Sequence, residues 1–448
     1  MPAYQAGIWN GETRLISIVT GDFPRGLVPV VLDAAIEMGI DATIDENDFG
    51  SYQLKHEMVD YHTLNLDFTP TDYQINAVEM ILCKKRRVII SPTGSGKSLI
   101  LYMLARSLPD DDILFIVPNI SLVHQLYTDF EDYSKNDPHW DVEDNCQRIS
   151  EGASKVVSKR IIISTWQSLI QIKQGAWFKR FNSVFVDEAH LAKAKSITSI
   201  LNKCKNAEIR AGVTGTLDGC KINELVLVGL FGPVYRVAST AGLIEEGRLS
   251  QLQINAITLK YENNAMRDLG LLNYDEEINF IVKNERRNKF IRNLVGQCVG
   301  NSLILFQFVE KQGKPLLKLI QDEFPDRPVY FVYGKVSGEE REDIREKVET
   351  QDNAIILASY ATYSTGINIK NLHNIIFASP SKGQVRVFQS IGRGLRLHAS
   401  KEECNVYDIS DDIRGYRRAL NHTMRHLEIR LDSYDREGFN VKRVTLNI

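Results

Sequence analysis

Cysteine is sparse and scattered in this chain of 448 residues: Cys83, Cys146, Cys204, Cys220, Cys298 and Cys404 include no CxxC pair. That argues against a zinc site and a disulfide framework, and leaves reduced, mostly buried thiols. Long hydrophobic runs are missing too. No segment approaches the length needed to span a bilayer, and Trp9, Asn10 and Glu12 stand where a secretory signal would be apolar. A soluble, cytoplasmic protein without a membrane partner is expected. Neither sign of charge dominates. The 54 Lys and Arg against 57 Asp and Glu give a net −3, which singles out no partner, although a local basic groove suffices for nucleic acid. No low-complexity tract or short-period repeat is present. The length suggests two or three domains with sizeable cores.

Two short strings carry chemistry. SPTGSGKS, residues 91–98, follows the apolar run 87–90, and DEAH, residues 187–190, follows a second such run, 183–186. A strand that turns through Gly94 and Gly96 into a helix lets backbone N–H groups wrap a triphosphate, and the helix N-terminus adds its positive dipole end. Pro92, Thr93, Gly94, Ser95, Gly96, Lys97 and Ser98 are the expected nucleotide contacts. Lys97 supplies mobile charge for the terminal phosphates, Ser98 and Asp187 are placed to hold Mg²⁺, and Glu188 polarises the attacking water. His190 reads as a relay, since no second histidine has zinc-site spacing. Each string alone has a plainer reading. The first begins with Ser91 where the usual loop has Gly, and is open to being an ordinary glycine turn. The second is open to being a strand leaving the sheet into a solvated helix start. Together and in this order they point to a motor that uses ATP and Mg²⁺.

The chain falls into three parts. Residues 1–66 form a small α+β module, with Asn10-Gly11 as a hairpin signal and helical apolar spacing from Leu27 to Met38 that stops at Gly39. Its few basic residues make it a poor general phosphate grip. From residue 67, apolar runs at 87–90, 113–117, 160–163, 183–186 and 211–213 alternate with helical stretches through residue 235. Residues 236–448 repeat the pattern, with runs at 302–306, 328–332, 354–358, 373–378 and 405–409 and a basic helical tail. Alternating strand and helix predicts α/β architecture with parallel sheets and ligands at the carboxyl ends of the strands. The tail from Arg414 carries Arg417, Arg418, Arg425 and Arg430. Its Leu420, Met424, Leu427 and Leu431 suggest packing on the motor, leaving the arginines free for a duplex arm. Lys283, Arg286, Arg287 and Lys289 read either as nucleic-acid contacts or as surface ion pairs. Lys84 to Arg87 reads as solvated surface.

A third string, QSIGRGLR at residues 389–396, lies in the second repeat. If it opens a helix, Arg393 and Arg396 share a face and can reach a γ-phosphate as arginine fingers. Two solvated arginines on an amphipathic helix are the alternative. With Tyr73-Gln74, residues 117–125 and 164–169, Thr214-Gly-Thr216 and Ser364-Thr-Gly-Ile-Asn368, these strings form an ordered series that resembles the superfamily 2 helicases. More narrowly, Trp9-Asn-Gly11, residues 29–44, Gly152 to Lys155, Thr165 to Gln167 and Lys370 to His373 resemble the UvsW type of phage branch-migration helicase. The resemblance implies an N-terminal module shorter upstream than in that type.

The resemblance implies two tandem RecA-like parallel-sheet domains behind the small N-terminal module. It implies that Gln74 reads the adenine edge, with Phe68 either stacking or anchoring the preceding loop. Thr214, Thr216 and Gln389 would couple the ATP site to the nucleic-acid track. Asn119, Thr165 and Thr365 would touch phosphates, or else cap helices. Gly366 marks close approach of backbone to the nucleotide or strand. Asn368 stands where many relatives have Asp, and is kept as a nucleotide contact. The implied activity is an ATP-dependent helicase or translocase, with ATP held between the domains. It would act on single-stranded and branched DNA (forks, Holliday junctions, displacement loops) in the 3′→5′ direction. The implied setting is the host cytoplasm of a phage, as a monomer, beside recombination or replication proteins. An RNA helicase, a duplex translocase that separates no strands, and a scaffold with a dead ATP site are the rival readings.

Overall fold

The computed structural model describes residues 14–44, 57–149, 156–192, 195–262, 272–366, 369–380, 383–414 and 419–448. The expected hairpin around Asn10-Gly11 lies outside them, as do Gly152 to Lys155, Asn368, Arg417 and Arg418. Two compact units divide at Ala238 and Ser239. Among the described residues, no helix is long and apolar enough to cross a membrane.

The first unit is built on strands β1 (Arg86–Ile90), β2 (Ile113–Val117), β3 (Cys146–Ile149), β4 (Ile161–Thr165), β5 (Ser183–Asp187), β6 (Ile209–Thr214) and β7 (Val234–Arg236). They pair in the order β3-β4-β2-β5-β6-β1-β7, every pair parallel. Near-continuous apolar runs such as ILFIV make sense because helices cover both faces. Alternation still sorts the side chains. Ile89, Ile113, Phe115 and Val117 enter one core, while Val88, Ile90, Leu114 and Ile116 enter the other. Of the N-terminal module, the helix Val28–Glu37 forms where its spacing predicts and is followed by Gly39 at φ 69°. Just before it, residues 24–27 dock on the helix Lys221–Phe231. At Gly26 a Cβ would lie 1.9 Å from the Val228 carbonyl oxygen, so only glycine allows this approach.

The second unit uses β8 (Gln251–Lys260), β9 (Ser302–Phe306), β10 (Val329–Val332), β11 (Ile355–Ser359), β12 (Asn374–Phe377), β13 (Glu403–Asp412) and β14 (Val441–Asn447). The order is β10-β11-β9-β12-β13-β8-β14, again parallel throughout. The two seven-stranded sheets with crossover helices are the tandem RecA-like folds that the sequence implied.

Two expectations about basic residues need correction. Arg430, expected free for DNA, is 2% exposed. It grips Asp408 with two hydrogen bonds of 2.8 Å and adds another of 2.8 Å to Ser410. The reason is register: Arg430 lies on the inner face of the helix His422–Arg436, over the carboxylates of β13. Arg287 is likewise no surface residue. It is fully buried and bonds Asp411 at 2.8 Å and the Ala378 carbonyl at 2.7 Å. Arg414 pairs with Asp412.

Candidate functional site

Strand order places the chemistry. In the first sheet β6 lies between β5 and β1, with Ile90 opposite Thr214 and Asp187 opposite Val213. The loop after β1, the acidic end of β5 and the threonine end of β6 therefore meet at one carboxyl edge. The Ser91 N–H donates to the Thr214 carbonyl at 2.9 Å. After β1 the chain turns through Gly94 at φ 87° and Gly96 at φ 78° into the helix Lys97–Ser107. Both angles lie in the region that favours glycine.

The departure at Ser91 has a structural use. Its buried hydroxyl lies 2.5 Å from that of Ser95, a tie across the loop that glycine cannot make. The Lys97 ammonium donates to the Ser91 carbonyl at 3.4 Å, so its charge rests over the loop. Gln74 sits on the same loop. Its Nε2 donates to the Ser95 carbonyl at 2.8 Å, its Oε1 accepts from the Thr71 N–H at 2.9 Å, and the Tyr73 hydroxyl donates to the same Ser95 carbonyl at 3.0 Å. A Cβ at Gly96 would lie 2.3 Å from Gln74 Nε2, which is a second reason for glycine there. The Ser98 hydroxyl lies 3.0 Å from that of Tyr133, whose ring meets Phe68 edge-on at 6.0 Å. Burial pushes the Tyr133 phenol up to about 12, so it stays a neutral partner. Tyr133 went unread in the sequence because nothing local links it to Ser98.

The acidic end carries unusual geometry and charge. Burial first, and the neighbouring Glu188 second, push the Asp187 carboxyl up to about 6, while Lys97 pulls it down. Glu188 takes a left-handed backbone conformation at φ 50°, uncommon for a residue with a Cβ. Its N–H donates to Asp187 Oδ1 at 2.9 Å. His190 Nδ1 lies 3.0 Å from Thr214 Oγ1 and 3.2 Å from Glu188 Oε2. The Thr214 hydroxyl also reaches Glu188 Oε2 at 3.5 Å and the Thr216 carbonyl at 3.2 Å. Glu188, His190, Thr214 and Thr216 thus form one hydrogen-bonded chain from the acidic strand to the loop after β6.

Asn119 and Thr165 lie farther along the same edge, since β2 and β4 end together with Val117 opposite Thr165. Both side chains cap helices: Asn119 accepts from the Leu122 N–H at 3.0 Å, and Thr165 from the Ser168 N–H at 3.2 Å. Thr165 is buried, and its hydroxyl is taken up by the cap and by Ser168.

In the second unit the string 389–396 closes a helix. The helix Gln384–Gly394 contains Gln389 and carries Arg393 in its last turn, whereas Arg396 lies beyond the end, so the shared helical face expected for the two arginines is not formed. The helix end packs closely on the sheet. Gly394 lies so near β12 and β13 that a Cβ there would be 2.6 Å from Ile375 and 2.7 Å from the Cys404 sulfur. The Arg393 guanidinium lies 4.9 Å from the centroid of the Tyr363 ring, a cation–π contact to the helix Tyr360–Gly366. That helix carries Thr365 and Gly366, of which only the backbone is described.

Residues 67–219 match the family model of the type III restriction enzyme res subunit, and residues 286–398 match the helicase conserved C-terminal domain. The ATP-dependent DNA helicase uvsW of Enterobacteria phage T4 is 33% identical over 476 residues, covering 100% of this chain and 92% of that protein. The chain belongs to the UvsW family of superfamily 2 helicases. As a UvsW-family member it is an ATP-dependent DNA helicase, and its nucleotide substrate is ATP. The DNA 3′-5′ translocase XPB2 of Sulfurisphaera tokodaii is 23% identical over 454 residues, covering 93% of this chain and 95% of that one. Among solved structures, the fragment of a putative HsdR subunit of a type I restriction enzyme from Vibrio vulnificus YJ016 aligns with a TM-score of 0.62. It is 16% identical and covers 93% of this chain and 74% of that one, a likeness of fold.

Proposed function

We propose that this UvsW-family helicase drives branch migration, moving 3′→5′ on forks, Holliday junctions and displacement loops. The hydrogen-bonded chain from Glu188 through His190 and Thr214 to Thr216 carries the motor part of the reading, because it joins the catalytic carboxylate to a loop outside the phosphate site. Branched DNA follows from the resemblance to the phage branch-migration helicases. The direction is supported by the name of the Sulfurisphaera tokodaii relative.

In this reading the loop from Pro92 through Ser98 wraps the phosphates, Gln74 meets the adenine edge, and Lys97 neutralises the terminal phosphates. Ser98 and Asp187 fit Mg²⁺: both offer oxygen, and the buried Asp187 carboxyl, pushed up by burial and by Glu188, lacks the positive charge that a hard cation brings. Bound there, Mg²⁺ withdraws charge from the phosphate oxygens. Glu188 orients the attacking water and accepts its proton, and His190 and Thr214 hold Glu188 in place. Arg393 and Arg396 stabilise the charge that develops on the transferred phosphoryl group. Asn119, Thr165, Thr365 and Gly366 meet the strand, Asn368 the nucleotide, and Gln389 couples the two. Alternating grip on the phosphates of one strand advances the protein.

The test is steady-state ATPase activity without nucleic acid, then with single-stranded DNA, a four-way junction and matched RNA, with Glu188→Gln as control. Strong stimulation by the junction, lost in the control, followed by strand displacement from a 3′ tail, is the expected result. Stimulation by duplex DNA without strand displacement points instead to a pure translocase, and stimulation by RNA alone would overturn the proposal.

A further inference from the structure

We infer, on the reading of Arg393 as an arginine finger, that Tyr363 is a positioning residue for ATP hydrolysis: its buried ring holds the Arg393 guanidinium in the orientation that serves the transferred phosphoryl group.

The backbone around Arg393 is fixed without help from Tyr363. Lys401, only 5% exposed, donates from its ammonium to the Gly394 carbonyl at 2.6 Å and to the Lys370 carbonyl at 3.1 Å. The Ser250 N–H donates to the Leu395 carbonyl at 2.8 Å, and the Ser250 hydroxyl to the Arg396 carbonyl at 3.2 Å. Consecutive carbonyls at the end of the helix Gln384–Gly394 are thereby satisfied, and the Leu395 side chain is fully buried beside them. The freedom that remains at this position belongs to the arginine side chain. A long, flexible side chain must be ordered before it can act on a transition state, and a contact that orders it in advance removes that cost from the reaction.

The Tyr363 ring is built to do this. It is 1% exposed and sits on the helix Tyr360–Gly366, which packs against the helix of Arg393. The start of its own helix is tied down, since the Tyr360 hydroxyl donates to the Ser379 carbonyl at 3.0 Å and the Ser359 hydroxyl accepts from the Thr362 N–H at 3.3 Å. The Arg393 guanidinium lies 4.9 Å from the centroid of this enclosed ring. Burial pushes the Tyr363 phenol up to about 12, although Arg393 and then Arg396 pull it down, so near neutral pH the cation meets a neutral π face and not a phenolate. The charges of both arginines act on this phenol, which makes Tyr363 a common neighbour of the pair that the helix end separates. Its hydroxyl meets no hydrogen-bond partner among the described residues. An unpaired buried hydroxyl is a cost, so the part of Tyr363 that serves Arg393 is the ring face.

The experiment uses the full chain with single-stranded DNA present and follows single-turnover hydrolysis, binding of a fluorescent ATP analogue, and Tm. Tyr363→Phe keeps the ring, and should hold turnover and affinity within about twofold with no loss of Tm. Phenylalanines carrying one, two and three ring fluorines, placed at position 363, then withdraw electron density from the π face with little change of shape. A stepwise fall in turnover reaching about tenfold, at unchanged affinity and Tm, is the expected result. Tyr363→Met, which fills much of the same space without a π face, should slow turnover to a similar degree. On an Arg393→Ala background the fluorines should change nothing further. Equal turnover across the fluorine series, with Arg393→Ala slow, overturns the positioning role and leaves the finger standing. A fluorine effect that persists without Arg393 also overturns it, because the ring then acts elsewhere. Full turnover in Arg393→Ala removes the finger itself, and the role of Tyr363 with it.

Discussion

Thr214 is the residue on which the site's geometry turns, since its one hydroxyl faces His190, Glu188 and the Thr216 carbonyl at 3.0, 3.5 and 3.2 Å. In the proposed mechanism such a junction would transmit a change at the carboxylate to the loop beyond. Thr214→Val keeps the shape and removes the hydroxyl, so basal hydrolysis should fall modestly, with His190 still beside Glu188, while the DNA-stimulated rate falls further, toward the basal one. ATPase assays with and without single-stranded DNA read this directly, and a fully stimulated variant would remove Thr214 from the coupling. Lys97→Ala should lower hydrolysis by ~10²-fold or more, as loss of a preorganised charge does. Arg393→Ala should instead spare ATP binding and slow turnover, by up to ~10³-fold if it acts as a finger; nucleotide-binding and single-turnover measurements separate the two effects. Lys97, Asp187 and Glu188 were legible in the sequence because their strings are local and each follows a buried strand. Tyr133 was not, since it meets Ser98 only after folding, 35 residues away. The capping bonds of Asn119 and Thr165 were legible as a possibility, because Asn and Thr before a helix favour that position.

At the scale of elements, β13 shows how charge extends a strand. Its apolar part, 405–409, was readable, yet the strand runs on through Ser410, Asp411 and Asp412, residues that by composition suggest a turn. They are buried because Arg430 and Arg287 come from other elements, and Arg414 folds back from just past the strand's end, each to meet a carboxylate of this strand. Removing one partner from a buried ion pair costs about 3–5 kcal/mol. Arg430→Ala should therefore destabilise the second unit by about that much, whereas Arg425→Ala, on the exposed face of the same helix, should change stability by under ~0.5 kcal/mol. Denaturant unfolding of the full chain checks both, and equal effects would mean that the Asp408 pair contributes little. The strands β8 and β14 escaped the sequence for another reason. β8 reads QLQINAITLK, an alternating rather than a continuous apolar run, and β14 reads VKRVTLN, with few apolar residues; β8 pairs with β13 and β14, which lie about 150 and 190 residues farther along the chain. Long-range parallel pairing leaves no local signature of the partner.

For the whole molecule, the net charge is −3, and ion pairs take Arg287, Arg414 and Arg430 out of any basic face. In the proposed mechanism the strand would be gripped along a narrow track at the strand ends, beside the helix starts that Asn119 and Thr165 cap. A track of this kind reads no bases. A base-reading contact contributes about 1–3 kcal/mol of discrimination at each position, enough to separate oligonucleotides by tenfold or more, whereas phosphate gripping separates them hardly at all. Binding of single-stranded oligonucleotides of equal length and different composition should thus agree within about threefold, while the affinity for each falls steeply with salt, by about −0.7 in log–log slope for each phosphate gripped. Fluorescence anisotropy across a salt series measures both quantities on the same samples. A tenfold preference for one sequence that survives at high salt would mean that base edges enter the track, and that the caps at the ends of β2 and β4 position side chains for reading rather than for gripping.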